Sequence, residues 1–273
     1  MERISIVVNR ILIALCLIGM SLFIILPFIS VIIWSFTKLW PWPELFPKQW
    51  NLDSWHYLFS PSGRALEALT NSLLVAGITV LLNILLGFPA AKALSQKSFT
   101  GKGGVFIVLL SPLFIPLTVS VMGLHHLSLH FDFLSDYISV ALVHSLITMP
   151  YFIVMLWYQF NQLGGKLQEA ALSLGAGGWK IFIWIELPLL LPALLLSCLL
   201  VVVISMSQYL PTWIMSGGTL MTLPLIIFPF ASSGNASIVA VYSLWFFVPV
   251  ILLVLVYYIL LKWCNKKILG LRG

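Results

Sequence analysis

Residues 169–188 of this chain read EAALSLGAGGWKIFIWIELP, and this stretch lies between two long hydrophobic runs. The segment from Leu167 to Leu174 is rich in good helix formers and contains no proline. Gly175 then provides a helix stop, because glycine adopts a left-handed backbone without a Cβ penalty. Leu187-Pro188 fits the first turn of a following helix, where proline is tolerated. The stretch therefore predicts a short helix, a glycine-rich bend and the start of a new apolar helix.

The composition of the whole chain is that of a membrane protein. Of its 273 residues, 61% are hydrophobic and only 8% are charged, and the mean hydropathy is +1.08. A soluble domain averages about 25% charged residues, so this chain could not cover a water-exposed globule. The apolar runs are continuous rather than short and alternating, which favours helices over a β-barrel. The predicted fold class is an all-α membrane protein.

Six apolar runs come close to the length of about 20 residues that a bilayer-spanning helix needs. They cover residues 11–36, 68–95, 104–126, 138–161, 185–209 and 236–262. The third run is the least regular, because Pro112 and Pro116 interrupt it. This pattern predicts three regions. They are an N-terminal span with a tryptophan-rich outer loop over 1–66, a core of five spans over 67–265 and a tail over 266–273.

The basic residues predict the orientation of these spans, because cytoplasmic loops carry an excess of Lys and Arg. A cytoplasmic N-terminus would leave only Lys38, Lys48 and Arg64 on the outer side. The inner side would then hold the remaining Lys and Arg residues: Arg3, Arg10, Lys92, Lys97, Lys102, Lys166, Lys180, Lys262, Lys266, Lys267 and Arg272. Both termini are therefore predicted to be cytoplasmic. The net charge of +6 is explained by topology, and no nucleic-acid partner is expected.

The outer loop after the first span contains four tryptophans, Trp40, Trp42, Trp50 and Trp55. Indole rings favour the headgroup layer, so the preferred interpretation is an interfacial belt that includes a short lateral helix. The alternative is that these tryptophans form a docking surface for an extracytoplasmic binding protein.

The 169–188 stretch resembles the EAA loop of ABC-importer permeases. That pattern is Glu-Ala-Ala, three residues, Gly, nine residues, Ile, any residue, Leu-Pro. Its fixed positions are occupied here by Glu169, Ala170, Ala171, Gly175, Ile185, Leu187 and Pro188. Asn71-Ser72-Leu73 and the segment 87–94, GFPAAKAL, resemble the start of the permease core. Lys92 departs from the family, whose members often have tyrosine there.

The resemblance implies the fold and partners of a type I ABC importer permease in the bacterial cytoplasmic (inner) membrane. Those partners are a cytosolic ABC ATPase dimer, a second permease subunit of the same or a different chain, and an extracytoplasmic substrate-binding protein. The coupling loop to the ATPase would cover about 163–184. Leu167, Ala170, Ala171 and Leu174 share one helical face that could enter a groove on the ATPase. The chain has no GxxxxGK[ST] motif, so it is not expected to bind ATP or another cofactor itself.

Candidates for the translocation path are few, because polar groups at membrane depth are costly. The proline-broken third span and the outer end of the fifth span supply Pro112, Pro116, Ser207, Gln208 and Tyr209. In related permeases the second of these regions lines the path or its outer gate. Asn83 and His144 are interpreted instead as interhelical hydrogen-bonding residues.

A histidine cluster in a predicted outer loop is the one metal-site candidate in the sequence. It contains His125, His126 and His130, with Asp132 and Asp136 nearby, and His126 and His130 have a chelating i, i+4 spacing if helical. The preferred interpretation is that these histidines are amphipathic interface residues, so no metal is predicted.

The function predicted from these features is that of a transport subunit, not an enzyme. Its cargo would be a small solute: a polyamine, a thiamine-like cation or ferric iron is preferred, and an oxyanion or phosphonate is the alternative. An ion-coupled secondary transporter is a rival interpretation, but it usually needs a carboxylate well inside a span, and Glu67 and Glu186 lie at span ends. An intramembrane enzyme is less favoured, because no nucleophile and base are evident.

Overall fold

The computed structural model describes residues 2–41, 43–130 and 135–269, and these residues are mostly helical. The α-helices are α1 Glu2–Ser35, α2 Asp53–Phe59, α3 Ala65–Leu82, α4 Phe88–Gln96, α5 Lys102–Leu110, α6 Leu117–Ser128, α7 Asp136–Leu163, α8 Lys166–Ser173, α9 Gly178–Ile181, α10 Leu187–Met206, α11 Leu210–Ser216, α12 Leu223–Ser232 and α13 Ala236–Leu269. Two short strands, β1 Thr37–Leu39 and β2 Gln49–Trp50, form an antiparallel hairpin.

The predicted set of membrane spans is confirmed. Within the described residues, five helical segments are long and apolar enough to cross a bilayer: Leu12–Ser35, Pro61–Gln96, Asp136–Leu163, Gly178–Met206 and Ala236–Lys262. The sixth is a broken pair, Lys102–Leu113 and Leu117–Ser128, whose axes meet at 100°. The break falls at Pro112 and Pro116, because proline lacks the amide hydrogen that a helix needs and clashes with the preceding turn.

The fifth span begins earlier than the sequence predicted. We expected it near residue 185, with Leu187-Pro188 in its first turn, but the helix runs continuously from Gly178 to Met206. Residues Phe182–Glu186 form a widened π-helical segment inside it. The wider turn ends one residue short of Pro188 and accommodates a proline that would otherwise break the helix. Pro188 is therefore an internal residue of this span.

The second span contains the same arrangement. Its π-helical segment is Asn83–Gly87, and Pro89 follows after a single residue. In both spans one residue separates the end of the widened segment from the proline. In both spans, therefore, the widened segment explains how a continuous helix can contain the proline.

The described chain divides into two compact units. The first comprises the chain up to Ala65 together with Ile227–Phe247. Within it, the Ser237 hydroxyl donates to the Thr37 carbonyl and the Tyr242 hydroxyl donates to the Gly63 carbonyl. The short helix expected in the outer loop is present as α2, but the hairpin was not predicted. Trp42 lies outside the described residues.

The second unit, Leu66–Ile226 with the chain from Val248 onward, is organised around α7. More than half of the apolar window of α7 is buried (56%), whereas the fifth span, which belongs wholly to this unit, is only 17% buried. One apolar cluster joins α4, α7 and α10 through Ala91, Leu94, Phe152, Ile153, Leu156, Phe160, Leu190 and Val201. A second joins α3, α6, α7 and α11 through Val75, Val121, Val140, Ala141, Val143 and Met215, with Leu220 following α11.

Candidate functional site

The predicted coupling loop forms a helix–bend–helix in the second unit. Its helix α8 begins at Lys166 and carries Glu169 in its first turn, where a carboxylate is favoured by the helix dipole. The Glu169 side chain is exposed, and its carboxylate oxygen lies close to Gly165, 3.3 Å from where a Cβ there would be. Ala170 beside it is also exposed. These two positions are open to a partner.

Gly175 ends α8 in the way that the sequence predicted. Its φ is +80°, in the left-handed region. The Gly175 amide donates to the Leu172 carbonyl (2.9 Å), and the Ala176 amide donates to the Ala171 carbonyl (3.0 Å). This pair of bonds is a Schellman motif, which satisfies carbonyls that the end of the helix leaves free. The helix therefore has a fixed end.

The outward face of α8 differs from the predicted one. Leu167, Leu172 and Leu174 are exposed by 50%, 57% and 88%, whereas Ala171 is only 8% exposed. We expected Ala171 to share the docking face with Leu167, Ala170 and Leu174. Its burial removes it from that face, and Leu172 is exposed in addition.

The second half of the motif lies inside the continuous fifth span. Ile185 belongs to the widened segment Phe182–Glu186, and Leu187 and Pro188 begin α10. All three are half-buried. The motif thus joins an exposed helix to the base of a span, and the bend at Gly177 leads from one to the other.

Glu186 is a site residue that sequence reasoning missed. It is only 5% exposed, and its Oε2 accepts a hydrogen bond from Lys92 Nζ at 2.5 Å. Its other oxygen accepts from Gln168 Nε2 on α8. Lys92 Nζ also lies 5.0 Å from the centre of the Phe182 ring. Two signals were visible in the sequence, a lysine at 92 where relatives often have tyrosine and an acid at 186 in an apolar run.

The buried His144 joins three segments of the second unit. Its Nδ1 lies 2.8 Å from Ser205 Oγ, and its Nε2 lies 3.1 Å from Thr212 Oγ1. The Thr212 hydroxyl donates to the Gln208 carbonyl, so its oxygen is free to accept from His144 Nε2–H. Ser205 then donates to Nδ1. This assignment makes His144 a neutral, fully bonded imidazole, in line with the interhelical interpretation.

Asn83 bonds to α7 at Thr148, one helical turn along from His144. Its Nδ2 donates to the Thr79 carbonyl and to Thr148 Oγ1, both at 2.9 Å. The Thr148 hydroxyl in turn donates to the His144 carbonyl. The two predicted hydrogen-bonding residues are therefore linked through Thr148.

The candidate path residues lie in two places. Pro112 lines a cavity of about 280 Å³ beside the break of the third span, together with Leu113, Ile115, Leu117, Ser120, Leu146, Ile147 and Tyr151. Pro116 precedes α6 and is exposed. Ser207, Gln208 and Tyr209 form the short connection between α10 and α11, with Ser207 exposed and the other two half-buried. None of these last four residues lines that cavity in the described part of the chain.

The histidines of the predicted outer loop lie close together, but the described residues complete no metal site with them. The rings of His126 and His130 are 5.5 Å apart, and His130 Nδ1 lies 3.1 Å from the His126 carbonyl oxygen. His125 Nδ1 is buried without a hydrogen-bond partner. Across residues 2–41, 43–130 and 135–269, no three His, Cys, Asp or Glu side chains are grouped as metal ligands. Asp132 lies outside the described residues.

Curated relatives resemble this chain in sequence, although no protein-family model matches it. The spermidine/putrescine transport system permease protein PotC of Haemophilus influenzae is 30% identical over 222 residues, which cover 78% of this chain and 81% of the relative. The molybdate/tungstate transport system permease protein WtpB of Thermococcus kodakarensis is 32% identical over 130 residues, or 47% of this chain and 52% of the relative.

A solved structure shares the fold. It is a crystal structure of a bacterial alginate ABC transporter in complex with an alginate pentasaccharide-bound periplasmic protein. The matched chain superposes with a TM-score of 0.69 at 16% identity, and the match covers 97% of this chain and 96% of that chain. At this identity the comparison establishes the arrangement of helices alone.

Proposed function

The chain belongs to the permease subunits of type I ABC importers, and from this premise we propose that α8 and the bend after it receive the movement of a cytosolic ATPase. As a member of this family the chain is a transport subunit rather than an enzyme, and ATP hydrolysis belongs to a separate subunit. Family membership also excludes the two rival interpretations, a secondary transporter and an intramembrane enzyme. The chain is a multi-pass membrane protein.

The observation that carries the proposal is the exposure of α8. Its first turn presents the Glu169 carboxylate, and its outward leucines, Leu167, Leu172 and Leu174, are between 50% and 88% exposed. An amphipathic helix with exposed apolar anchors around a carboxylate is suited to a groove on a partner protein. The carboxylate can form a charged hydrogen bond inside such a groove.

The orientation of the chain supports the same assignment. The inner loops defined above hold most of the Lys and Arg residues, including Lys166 and Lys180 on either side of the α8 bend. We place this bend and both termini in the cytoplasm of a bacterium, with the chain in the inner membrane. An ATPase dimer would bind from this side.

The remaining partners follow from the architecture of the family. A single chain exposes much of its apolar spans, and a second permease subunit would complete the path between them. The structural neighbour was crystallised with a periplasmic protein, and we propose that a substrate-binding protein likewise delivers solute to this chain from the outer side.

For the cargo we propose a small organic cation of the polyamine class. The support is the resemblance to PotC across most of both chains. The path candidates Ser207, Gln208 and Tyr209 are neutral and can solvate an ammonium group through oxygen atoms. An oxyanion is the second candidate, because the match to WtpB has slightly higher identity over a shorter region.

The test of the coupling assignment is Glu169→Lys in the assembled transporter. The reversed charge should abolish uptake of labelled spermidine and weaken co-purification of the ATPase by about tenfold or more, since the charged hydrogen bond that Glu169 would form in the ATPase groove is lost. Glu44→Lys is the matched control, because Glu44 is an exposed acid in the outer loop, paired with Lys48 at 2.8 Å.

The two variants separate the possible outcomes. Normal ATPase association in Glu169→Lys would contradict the placement of the coupling surface on α8. A different outcome is a wild-type permease that binds the ATPase fully but takes up labelled molybdate and no spermidine. That result would leave the coupling surface in place and replace the proposed cargo.

A further inference from the structure

The Glu186 carboxylate connects three separate segments of the second unit. Lys92 comes from α4 at the end of the second span, Gln168 comes from α8, and Glu186 itself ends the widened segment of the fifth span. We call Lys92, Gln168 and Glu186 the Glu186 clamp. Through its two oxygens, one acidic side chain bonds the candidate coupling helix and a membrane span at the same time.

Burial makes these bonds hard to break one at a time. The Glu186 side chain is only 6% exposed, and that of Lys92 is 33% exposed. A carboxylate in a poorly solvated place loses much more when its partner leaves than it would at the surface. Bonds from Lys92 and Gln168 to the same carboxylate therefore tend to persist together, and the segments that carry them tend to move together.

Lys92 also holds the other end of the widened segment. Its ammonium lies 5.0 Å from the centre of the Phe182 ring, within the range of a cation–π contact. Phe182 opens the segment Phe182–Glu186, and Glu186 closes it. A π-helical segment is less regular than an α-helix, and such segments often lie at functional places. Lys92 thus bridges a deformable part of the fifth span.

We propose that Glu186 is a positioning residue that passes the movement of α8 directly to α4 and α10. The proposal rests on the proposed function, in which the ATPase moves α8. Without the clamp, movement of α8 would reach the fifth span through the glycine-containing bend between Gly175 and Gly178 and through the packing of α8 against α9. With the clamp, α8 and the bases of the second and fifth spans move as one body.

The test measures the distance between α8 and α10 in the purified permease–ATPase complex. Spin labels are attached at Ser173 on α8 and at Leu196 on α10, both exposed, in a background without the native cysteines. Distances are recorded without nucleotide and with ATP and vanadate. In the wild-type background the distance distribution should be narrow and equal in the two states.

Two variants should release α8 from α10. Glu186→Gln keeps the shape of the side chain but removes its charge, and Gln168→Ala removes only the arm on α8. Each should broaden the distribution or make it differ between the two states, and each should lower uptake per ATP hydrolysed by about fivefold or more, the range of an ordinary coupling energy. ATPase co-purification should remain, because Glu169 is unchanged.

Controls distinguish a linkage from general damage. Gln159→Ala removes a glutamine that also bonds the fifth span, at the Leu189 carbonyl, but that lies on α7 rather than α8. It should leave the label distance and the uptake ratio unchanged. Exchange of the charges in a Lys92→Glu, Glu186→Lys double variant should restore a narrow distance distribution relative to Glu186→Gln.

The results would overturn the proposal in a defined way. If Glu186→Gln fails to assemble, Gln168→Ala still decides the matter, because it leaves the Lys92–Glu186 pair intact. A narrow, state-independent distance and a normal uptake ratio in Gln168→Ala would show that the clamp transmits nothing. Loss of the ATPase from the wild-type complex, or its retention in Glu169→Lys, would instead count against the coupling surface itself.

Discussion

The contact of Gly87 with α7 leads to a quantitative stability prediction. Gly87 ends the widened segment of the second span and has an ordinary helical backbone, with φ −75°. A Cβ at this position would lie 2.8 Å from Phe152 Cδ1 and 2.9 Å from Met149 Sδ. Favourable carbon–carbon contacts lie at about 3.5–4.0 Å. The Phe152 ring is fully buried, so it has little room to move.

The size of the effect follows from two opposing contributions to the free energy of unfolding. Gly→Ala inside a helix gains about 1 kcal/mol from helix propensity. Overpacking a filled core costs about 1–3 kcal/mol. Gly77 in the same span has no atom within 4 Å of its Cβ position, so Gly77→Ala should show the gain alone. Gly87→Ala should therefore be less stable than Gly77→Ala by about 1–3 kcal/mol.

The measurement is thermal unfolding of the two variants, purified in the same detergent and followed by tryptophan fluorescence. For a chain of this size, 1 kcal/mol corresponds to a shift in Tm of about 2–4 °C. Met149→Ala in the Gly87→Ala background should recover part of the loss, because it removes one of the two close contacts. A Gly87→Ala variant as stable as Gly77→Ala would refute the close packing of the second span on α7.

Two further predictions concern the end of α8 and the buried imidazole. Gly175→Ala places a Cβ in a left-handed conformation, which costs about 1–2 kcal/mol, and should speed hydrogen exchange of the α8 amides. The control Gly177→Ala, at a residue with φ −72°, should leave that exchange unchanged. Equal exchange in both variants would contradict the left-handed helix stop. His144→Phe keeps an aromatic ring but removes the hydrogen bonds to Ser205 and Thr212. It should lower the free energy of unfolding by about 1–3 kcal/mol, as measured by denaturant unfolding. An unchanged free energy of unfolding would refute the hydrogen bonds of His144.

The spans could be predicted from sequence because each depends on a local property. A bilayer imposes a minimum apolar length on every spanning helix, and this length can be counted in the sequence even when no tertiary contact is known. The helix stop at Gly175 was equally local. The early start of the fifth span does not follow from the sequence, because a proline such as Pro188 is most often tolerated in the first turn of a helix. The preference of proline for a first turn does not hold where a widened turn precedes the proline. A widened turn precedes both Pro188 and Pro89.

The hairpin and the Glu186 clamp lie beyond local patterns. Strands β1 and β2 are two or three residues long and contain no clear alternation, so nothing near them in sequence indicates pairing. Lys92 and Glu186 are separated by 94 positions. Each is unusual by itself: Lys92 departs from the family pattern, and Glu186 is an acid in an apolar run. Only the packing of the second span beside the fifth brings their charges into contact.

The position of the clamp relative to the two prolines gives it a physical rationale. Lys92 follows the widened segment and proline of the second span, while Glu186 lies two positions before the proline of the fifth. Pro89 and Pro188 both remove a backbone hydrogen bond, so each helix is weakened near its link to α8. An uninterrupted helix would transmit a push along its axis without help. Two weakened helices would bend, and a side-chain bond between their bases restores the stiffness that the prolines remove.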